Sequence, residues 1–337
     1  MLAITAWNLM PVLRKQAIKD WLHTLIDDEF ELTPASEDAS FRRYFRVTFQ
    51  DETRIVMDAP PDKEDVTPFI HIAQRLEQHG LHVPHIYEID LEQGFLLLSD
   101  LGSTSYLSVL NDDTVESLYG SALQALLKIQ DTSVAELPLY NEELLHREMD
   151  LFREWFLGEH LDLQLDRLLN ARMETIYEDL IAVVLQQPRV FVHRDYHSRN
   201  LMVCPDNNPG IIDFQDAVIG PVTYDLVSLL RDCYIDWPRS RVESWALSYR
   251  DQAVAAGLMN ACSDEQFLRW FDLMGVQRHL KAIGIFARLN HRDGKPGYLN
   301  DIPRTLAYVH EVSSRHPETE ELYALIQELR LLERVQA

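Results

Sequence analysis

The first pattern along the chain is a set of apolar residues at helical spacing near the N terminus. Leu13, Ala17, Trp21 and Leu25 recur four residues apart, with basic side chains between them. Residues that follow this period share one face of an α-helix. The spacing therefore predicts an amphipathic helix over residues 12–26.

Strand-like segments follow this helix. Residues 41–49 and 54–57 are rich in the aromatic and β-branched side chains that favour strands. Residues 66–78 return to a helical pattern that stops at Gly80, a residue type suited to a helix C terminus. The continuous apolar run at 95–98 predicts a buried strand.

The rest of the chain is mostly helical in pattern. Three short apolar runs interrupt the helical part, at 190–192, 201–203 and 210–212. A β-rich segment followed by a helical body with a small β insertion predicts an α+β fold in two lobes. We place a small β-rich N lobe at residues 1–100 and a larger helical C lobe at residues 101–337.

Charge and cysteine content narrow the classes of partner. The chain has 31 basic and 54 acidic side chains, which gives a formal net charge of −23. A field of this sign repels nucleic acid and anionic membrane surfaces. No apolar run approaches the roughly 20 residues of a membrane span, and three scattered cysteines favour reduced thiols. We therefore expect a cytoplasmic protein that binds neither nucleic acid nor membranes; its oligomeric state is left open.

The stretch with the clearest chemistry begins at His193. Asp195 follows one apolar run, Asn200 precedes the next, and Asp213 follows the third. Mg²⁺ prefers oxygen ligands, and phosphoryl transfer to an alcohol needs a carboxylate that meets the attacking hydroxyl. The spacing therefore predicts a phosphotransferase in which Asp195 accepts the hydroxyl proton, while Asn200 and Asp213 bind the metal.

Two neighbours of these residues have other predicted roles. We expect His193 to hold the loop through a buried hydrogen bond rather than to transfer protons. Asp216 is a candidate second metal ligand, and its position is equally compatible with a turn or a helix cap. Both alternatives for Asp216 stay open at this point.

The segments HRDYHSRN at 193–200 and IIDF at 211–214 resemble the aminoglycoside phosphotransferase and choline kinase branch of the protein-kinase-like fold. This resemblance implies ATP and Mg²⁺ as cofactors and a two-lobe fold with a hinge. It also implies that Asp195 is the catalytic residue and that Asn200 and Asp213 are the magnesium ligands.

Two further segments are similar to this branch. LLLSDLG at 96–102 is similar to its hinge strand. The similarity implies that the adenine of ATP meets the backbone around Ser99, Asp100 and Leu101. GPVTYDLVSLL at 220–230 is similar to its structural helix, and the implied role of Asp225 is to brace the catalytic loop.

Two departures from the family pattern concern the phosphates of ATP. Residues 36–46 contain no glycine where the family has a glycine-containing loop. We expect Ser40 and Arg43 to contact the phosphates there, since an arginine can bind phosphate through two hydrogen bonds. Met57 occupies the place of the family's phosphate-binding lysine. Arg43 or Lys63 would replace that lysine, or the phosphates would rely on magnesium.

Longer segments resemble a narrower group, the bacterial anomeric sugar kinases that phosphorylate N-acetylmuramate and N-acetylglucosamine at C1. They are DASFRRYFRV at 38–47, MDAPPDKED at 57–65, LLRDCYIDWP at 229–238 and QRHLKAIGIFARLNHRDGKPGYLNDIPR at 277–304. The implied substrate is a small sugar in peptidoglycan recycling. A kinase of another small alcohol, such as an aminoglycoside or an amino alcohol, is the alternative, and a nucleotide-binding pseudokinase is a minor one.

A basic segment near the C terminus is the candidate sugar site. Five residues would lie within an arc of about 100° if one helix spanned them: Arg278, Lys281, Arg288, Arg292 and Lys295. N-acetylmuramate carries a lactyl carboxylate, which pairs well with a guanidinium group. We therefore expect Arg278, Arg288 or Arg292 to bind the sugar, and a solvated charged face is the alternative.

Overall fold

A computed structural model of the protein describes residues 3–37 and 41–335, with side chains from residue 13 onward except 36–40. The chain forms two compact units. The first is Met1–Ser103 together with Cys204–Gln215, and the second is Thr104–Val203 together with Asp216–Ala337. Residues 204–215, which the sequence analysis places in the C lobe, thus fold with the first unit.

The first unit contains a five-stranded antiparallel sheet. Its strands are β1 (Glu31–Glu37), β2 (Arg43–Phe49), β3 (Glu52–Asp58), β4 (Ile86–Asp90) and β5 (Phe95–Ser99). They lie in the order β1-β2-β3-β5-β4. Phe45 and Val47 alternate with more exposed residues in β2, so their side chains point to one face of the sheet. The strands predicted over 41–49, 54–57 and 95–98 are confirmed.

Helix α1 (Ala3–Leu22) packs on that face of the sheet. Ile18 and Leu22 are fully buried in a cluster that includes Phe45 and Val47. Burying a side chain of this size stabilises the fold by about 1.5–3 kcal/mol relative to leaving it exposed. The predicted N-terminal helix is confirmed, although it ends earlier than residue 26.

Helix α2 (Thr67–Gln78) completes the N-terminal part of the first unit. Its buried residues follow the spacing of an amphipathic helix: Phe69, Ile72, Ala73 and Leu76. The chain then reaches Gly80 with a φ of +77°, a left-handed conformation that glycine adopts without steric cost. Both the helix and the glycine at its C-terminal end are confirmed.

The second unit is mainly helical. Its helices are α3 (Tyr106–Val109), α4 (Val115–Asp131), α5 (Glu142–Leu151), α6 (Arg167–Val184), α7 (Tyr224–Leu230), α8 (Arg239–Ala255), α9 (Asp264–His291), α10 (Ile302–Ser313), α11 (Glu320–Glu328) and α12 (Leu331–Arg334). A π-helical segment spans Phe152–His160, and 3-10 turns span Pro296–Asp301 and Pro317–Thr319. Within the part of the chain that the structure describes, no helix is both long and apolar enough to span a membrane.

Four short strands lie between α6 and α7. They are β6 (Arg189–Val192), β7 (Leu201–Met202), β8 (Gly210–Ile211) and β9 (Val218–Pro221). Strand β6 pairs with β9 in the second unit, whereas β8 belongs to the first unit, where the Ile211 N–H donates to the His82 carbonyl. The predicted β insertion is therefore confirmed, and β9 is an addition to it.

Helix α9 is the longest helix of the second unit. Its 28 residues span about 42 Å, and residues 271–281 are all buried. Gly284 lies so close to Leu151 that a Cβ atom at position 284 would sit 2.3 Å from the Leu151 carbonyl carbon. Only glycine allows this close approach of two backbones.

Helix α9 does not span all five basic residues of 278–295, so the arc that depended on one continuous helix does not form. Helix α9 ends at His291, and Gly294 turns the chain away with a φ of +66°. Arg292 and Lys295 therefore lie beyond the helix. Arg278 and Lys281 lie within it but are buried, so these two residues do not form a solvated face.

A buried histidine in α9 gives a testable pH dependence. His279 is 2% exposed, and its Nε2 lies 2.8 Å from the Arg231 carbonyl oxygen, to which the neutral ring donates. Burial lowers the pKa of His279 to about 3, from 6.5. Because the folded pKa lies below the unfolded one, this contribution to stability is present above pH 6.5 and is lost as the pH falls.

At pH 5, about 1.5 pH units below the unfolded pKa, His279 binds a proton in the unfolded protein but not in the folded one. The free energy of unfolding should therefore be about 2 kcal/mol lower at pH 5 than at pH 7 on account of this residue. Urea unfolding of the wild type and of His279→Gln at both pH values measures this difference. The glutamine keeps a hydrogen-bond donor but does not titrate. The free energy of unfolding of the variant should therefore fall by about 2 kcal/mol less between pH 7 and pH 5 than that of the wild type. Equal losses in the two proteins would contradict the prediction.

Candidate active site

The loop between β6 and β7 carries the predicted catalytic residues of the second unit. Its backbone is held by Asp225, a fully buried residue in the first turn of α7. Asp225 accepts the N–H of His193 at 2.7 Å and the N–H of Arg194 at 3.0 Å. These bonds fix Arg194 at a φ of +76°, a strained conformation for a side chain of this size.

Two more hydrogen bonds shape the loop around Asp195. The Asp195 N–H donates to His193 Nδ1 at 3.2 Å, which ties the buried imidazole to the turn. The Asn200 side-chain amide donates to the Asp195 carbonyl oxygen at 3.0 Å. This second bond orients the Asn200 amide, because its nitrogen is directed to the loop backbone.

The carboxylate of Asp195 lies among positive charges. Burial by itself would raise the pKa of Asp195, yet Lys281, His197 and Arg194 hold it below its ordinary value. The group is therefore ionised at neutral pH. An ionised carboxylate can accept a hydrogen bond, and then a proton, from a substrate hydroxyl.

A buried acid that the sequence analysis missed organises these cations. Glu148 of α5 pairs with Lys281, whose Nζ lies 3.0 Å from its Oε1, and also with Arg194. Lys281 Nζ donates in addition to the Tyr224 hydroxyl at 3.0 Å. Glu148 thereby holds Lys281 and Arg194, two of the groups that lower the pKa of Asp195. The signal for Glu148 was an acidic residue at a buried position of an otherwise amphipathic helix.

The other predicted metal ligand belongs to the first unit. Asp213 follows β8 and has a φ of +66°, a left-handed conformation that aspartate tolerates better than most residues. Its Oδ1 accepts a hydrogen bond from Gln215 Nε2 at 2.8 Å. The next residue, Phe214, stacks on Phe69 of α2 with ring centres 5.0 Å apart, which anchors the segment.

The predicted hinge, residues 96–102, begins within β5 and continues beyond it in the first unit. Asp100 accepts two hydrogen bonds from Arg46, at 2.6 and 3.0 Å, and a third from the Gly102 N–H at 2.9 Å. Burial would raise the pKa of Asp100, but the Arg46 guanidinium and the Gly102 N–H hold it below its usual range. Ser99 Oγ accepts from the His85 N–H at 2.9 Å. The two hinge side chains, Ser99 and Asp100, thus hold the backbone of the turn.

The residues predicted to contact phosphates are spread over the first unit. Arg43 donates from Nε to the buried Asp58 at 3.0 Å, on the face of the sheet that α1 covers. Met57 precedes Asp58 in β3 and points to the opposite face. Lys63 is exposed, 3.8 Å from Asp62. Ser40 lies outside the described residues.

The three arginines predicted to bind sugar have different environments. Arg278 is buried and donates to the Cys233 sulfur at 3.8 Å. Arg292 is exposed and makes two bonds to Asp293, at 2.8 and 2.9 Å. Arg288 is partly buried, and burial together with Arg292 lowers its pKa. The three guanidinium groups therefore do not form one continuous surface.

Comparison with known proteins agrees with this architecture. Residues 31–271 match the family described as phosphotransferase enzyme family. The N-acetylmuramate/N-acetylglucosamine kinase of Pseudomonas putida is 48% identical to this chain, over 94% of the chain and 97% of that protein. The kinase of the same name from Neisseria meningitidis is 42% identical, over 94% and 96%.

Solved structures with lower identity share the fold. A choline kinase from Streptococcus pneumoniae superposes with a TM-score of 0.61 at 12% identity, covering 88% of this chain and 99% of that one. An ADP-bound aminoglycoside phosphotransferase gives 0.59 at 17% identity, covering 88% and 98%. The predicted α+β kinase-like fold class is confirmed, and the protein is a phosphotransferase that belongs to the phosphotransferase enzyme family.

Proposed function

We propose that the protein is an ATP-dependent sugar kinase that phosphorylates the anomeric hydroxyl of N-acetylmuramate and N-acetylglucosamine. The observation that carries the proposal is the identity of 48% to a kinase of that name along 94% of the chain. The ionised Asp195 in a braced loop supplies the chemistry that this reaction needs. The same relationship suggests a role in peptidoglycan recycling, and the need for ATP suggests the cytoplasm.

In the proposed reaction, Asp195 accepts a hydrogen bond from the C1 hydroxyl and orients the oxygen toward the γ-phosphorus of ATP. The new O–P bond forms as the bond to the leaving ADP breaks, and the hydroxyl proton passes to the Asp195 carboxylate. Because the transition state of phosphoryl transfer is loose, alignment supplies most of the rate enhancement. Lys281 and Arg194 favour the carboxylate form of Asp195 before the transfer.

The residues nominated for magnesium fit the ion by their chemistry. One carboxylate, on Asp213, and one amide oxygen, on Asn200, are hard oxygen donors of the kind that Mg²⁺ takes in kinases, with phosphate oxygens completing the coordination. When bound, the ion would neutralise charge on the transferred phosphate. Asp216 is exposed and stays an alternative ligand.

For the nucleotide base we propose the backbone of residues 99–101. The Asp100 carboxylate already accepts hydrogen bonds from Arg46 and Gly102, so backbone N–H and C=O groups are the better candidates for the adenine. The binding of ADP by one structural neighbour supports a nucleotide site in this fold. Ser40 remains a proposed phosphate contact. The structure corrects the role expected of Arg43, because Asp58 binds its guanidinium on the face of the sheet that α1 covers, opposite to Met57.

A substrate panel tests the proposed function. The purified protein is incubated with ATP, magnesium and one acceptor at a time: N-acetylmuramate, N-acetylglucosamine, the 1-O-methyl glycoside of N-acetylglucosamine, an aminoglycoside or choline. Phosphorus NMR distinguishes an anomeric phosphate from other phosphate esters. We expect an anomeric phosphate on both free sugars and no product from the methyl glycoside. Turnover of the aminoglycoside or choline alone would favour the alternative kinase, and nucleotide binding without any product would favour a pseudokinase.

A further inference from the structure

Arg199 is a cation of the catalytic loop to which the reaction above assigns no role. It lies between Asp195 and Asn200 in the chain, so it belongs to the loop that presents the reactive carboxylate. Its side chain is 41% exposed. An exposed cation so close to the chemical step is placed to contact a substrate.

The Arg199 guanidinium packs against two tyrosine rings. Its central carbon lies 3.6 Å from the ring centre of Tyr234 and 5.7 Å from that of Tyr298. Packing on an aromatic face restrains a guanidinium group without using its N–H donors. This arrangement is prepared before any ligand binds, so a ligand need not order the side chain itself.

A buried acid, Asp232, links Tyr234 to the catalytic loop. Asp232 accepts the Ser198 N–H at 2.9 Å through one oxygen and the Tyr234 N–H at 3.0 Å through the other. Ser198 immediately precedes Arg199. The Asp232 carboxylate thus holds the backbone next to Arg199 and the backbone of Tyr234, and so fixes the two side chains relative to each other.

Arg199 has no hydrogen-bond partner among the residues that the structure describes. The nearest carboxylate oxygen, on Asp301, is 3.9 Å away, which is an ion pair without a hydrogen bond. Asp301 is also 3.4 Å from Arg304, so its charge is shared. In contrast, Arg292 is held by Asp293 through two hydrogen bonds. Arg199 therefore keeps its donor edge for a ligand.

Further aromatic side chains pack against these two tyrosines. Phe286 of α9 stacks on Tyr298 with ring centres 5.8 Å apart, and Tyr234 lies 6.2 Å from Phe286. His197, also in the loop, meets the Tyr234 ring edge-on at 5.4 Å. Apolar ring faces beside an exposed guanidinium suit a ligand that has both C–H surface and an anionic substituent.

We propose that Arg199 binds the lactyl carboxylate of N-acetylmuramate, with Tyr234 and Tyr298 as the platform that orients it. The assignment rests on the proposed function, because only that substrate carries the carboxylate. A guanidinium and a carboxylate form two parallel hydrogen bonds, which add geometric selectivity to the charge attraction. Arg199 thereby raises the preference for N-acetylmuramate over N-acetylglucosamine.

Steady-state kinetics of Arg199→Gln on both sugars test the assignment. The ratio of kcat/KM for N-acetylmuramate to kcat/KM for N-acetylglucosamine should fall by about 10- to 150-fold, the usual effect of losing one charge-assisted pair. Arg315→Gln is the control, because Arg315 is a similarly exposed arginine, at 48%, that lies outside the loop and donates a hydrogen bond to Glu311 at 3.3 Å. The control should keep the wild-type ratio.

Other outcomes overturn the assignment in recognisable ways. An unchanged ratio in Arg199→Gln, or equal losses on both sugars, would exclude carboxylate binding by Arg199. If the ratio of kcat/KM for the two sugars fell in Arg288→Gln and not in Arg199→Gln, the carboxylate would bind beside α9. Arg288 is one of the three arginines that the sequence analysis names for the sugar. A wild type that phosphorylates neither sugar would overturn the proposed function itself, and Arg199's role with it.

A modified substrate gives a measurement that does not depend on the folding of a variant. The methyl ester of N-acetylmuramate removes the negative charge and keeps the rest of the sugar. Wild-type kcat/KM for the ester should fall by the same factor that Arg199→Gln loses on the free acid. The variant should lose little more on the ester, since the two changes remove one interaction. If the variant acting on the ester lost the product of the two separate factors, Arg199 and the carboxylate would not be paired.

Discussion

Asp195→Asn should lower kcat on N-acetylmuramate by at least about 100-fold while leaving the affinity for ATP nearly unchanged. The amide cannot accept the proton of the acceptor hydroxyl, and a positioned acid–base group typically contributes 10²- to 10⁴-fold. Asp195 is proposed to meet the acceptor rather than the nucleotide, so calorimetric titration with ATP should differ little between variant and wild type. Steady-state kinetics give kcat, and calorimetry gives the dissociation constant.

Asp206→Asn is the matched control for this prediction, because it removes a carboxylate from an exposed aspartate. It should keep wild-type turnover. The thermal unfolding midpoint of both variants shows whether the fold survives the lost charge beside Lys281 and Arg194. Near-normal turnover by folded Asp195→Asn would exclude the catalytic role, and a loss of ATP affinity as large as the loss of kcat would indicate a damaged nucleotide site.

The loop that carries Asp195 could be located from the sequence because its parts are contiguous. His193, Asp195 and Asn200 lie within one turn-rich segment between two apolar runs, and local sequence decides such a loop. Its neighbours could not be predicted in the same way. Glu148 reaches Arg194 and Lys281 only because α5 and α9 pack together, and no local pattern records that packing.

Two strands of the sheet, β1 and β4, were not predicted from the sequence, and their positions in the sheet explain why. Strands β1 and β4 are the two edges of the sheet, so each needs only one hydrogen-bonded neighbour. β1 carries Pro34, which an edge strand tolerates, and β4 is largely exposed. Neither therefore needs the apolar alternation that marks a strand in the sequence. The interior strand β5, with four consecutive buried residues, was the one that the pattern identified most directly.

The basic residues of α9 illustrate a limit of reasoning from periodicity. A helical pattern counts Lys281 and Arg278 as polar and assigns them to the surface, yet both are buried. Lys281 is stable there because Glu148 and Tyr224 supply an ion pair and a hydrogen bond. A buried charge requires such partners, and these partners lie in other helices. The sequence therefore located the charges correctly but not their environment.

Asp213→Ala should abolish the magnesium dependence of ATP binding. Asp213 is the only acidic residue in the nominated ligand set, and the neutral amide of Asn200 is a weak ligand on its own. Losing a hydrogen-bond partner of a metal ligand typically lowers metal affinity by roughly 10- to 100-fold. Losing the ligand itself should lower it at least as much. Calorimetry of ATP binding with magnesium and with chelator measures the magnesium-dependent gain, which should be large in the wild type and near zero in the variant.

Backbone conformation dictates the controls for this prediction. Asp213 has a φ of +66°, which alanine adopts only with strain, so Asp213→Ala could weaken binding by shifting the chain. Asp213→Asn removes the charge in a residue that tolerates this conformation, and it should lose the magnesium-dependent gain as well. Asp216→Asn, a change at an exposed neighbour, should keep that gain. If Asp216→Asn loses the gain and Asp213→Asn keeps it, the metal ligand is Asp216, and the assignment of Asp213 is wrong.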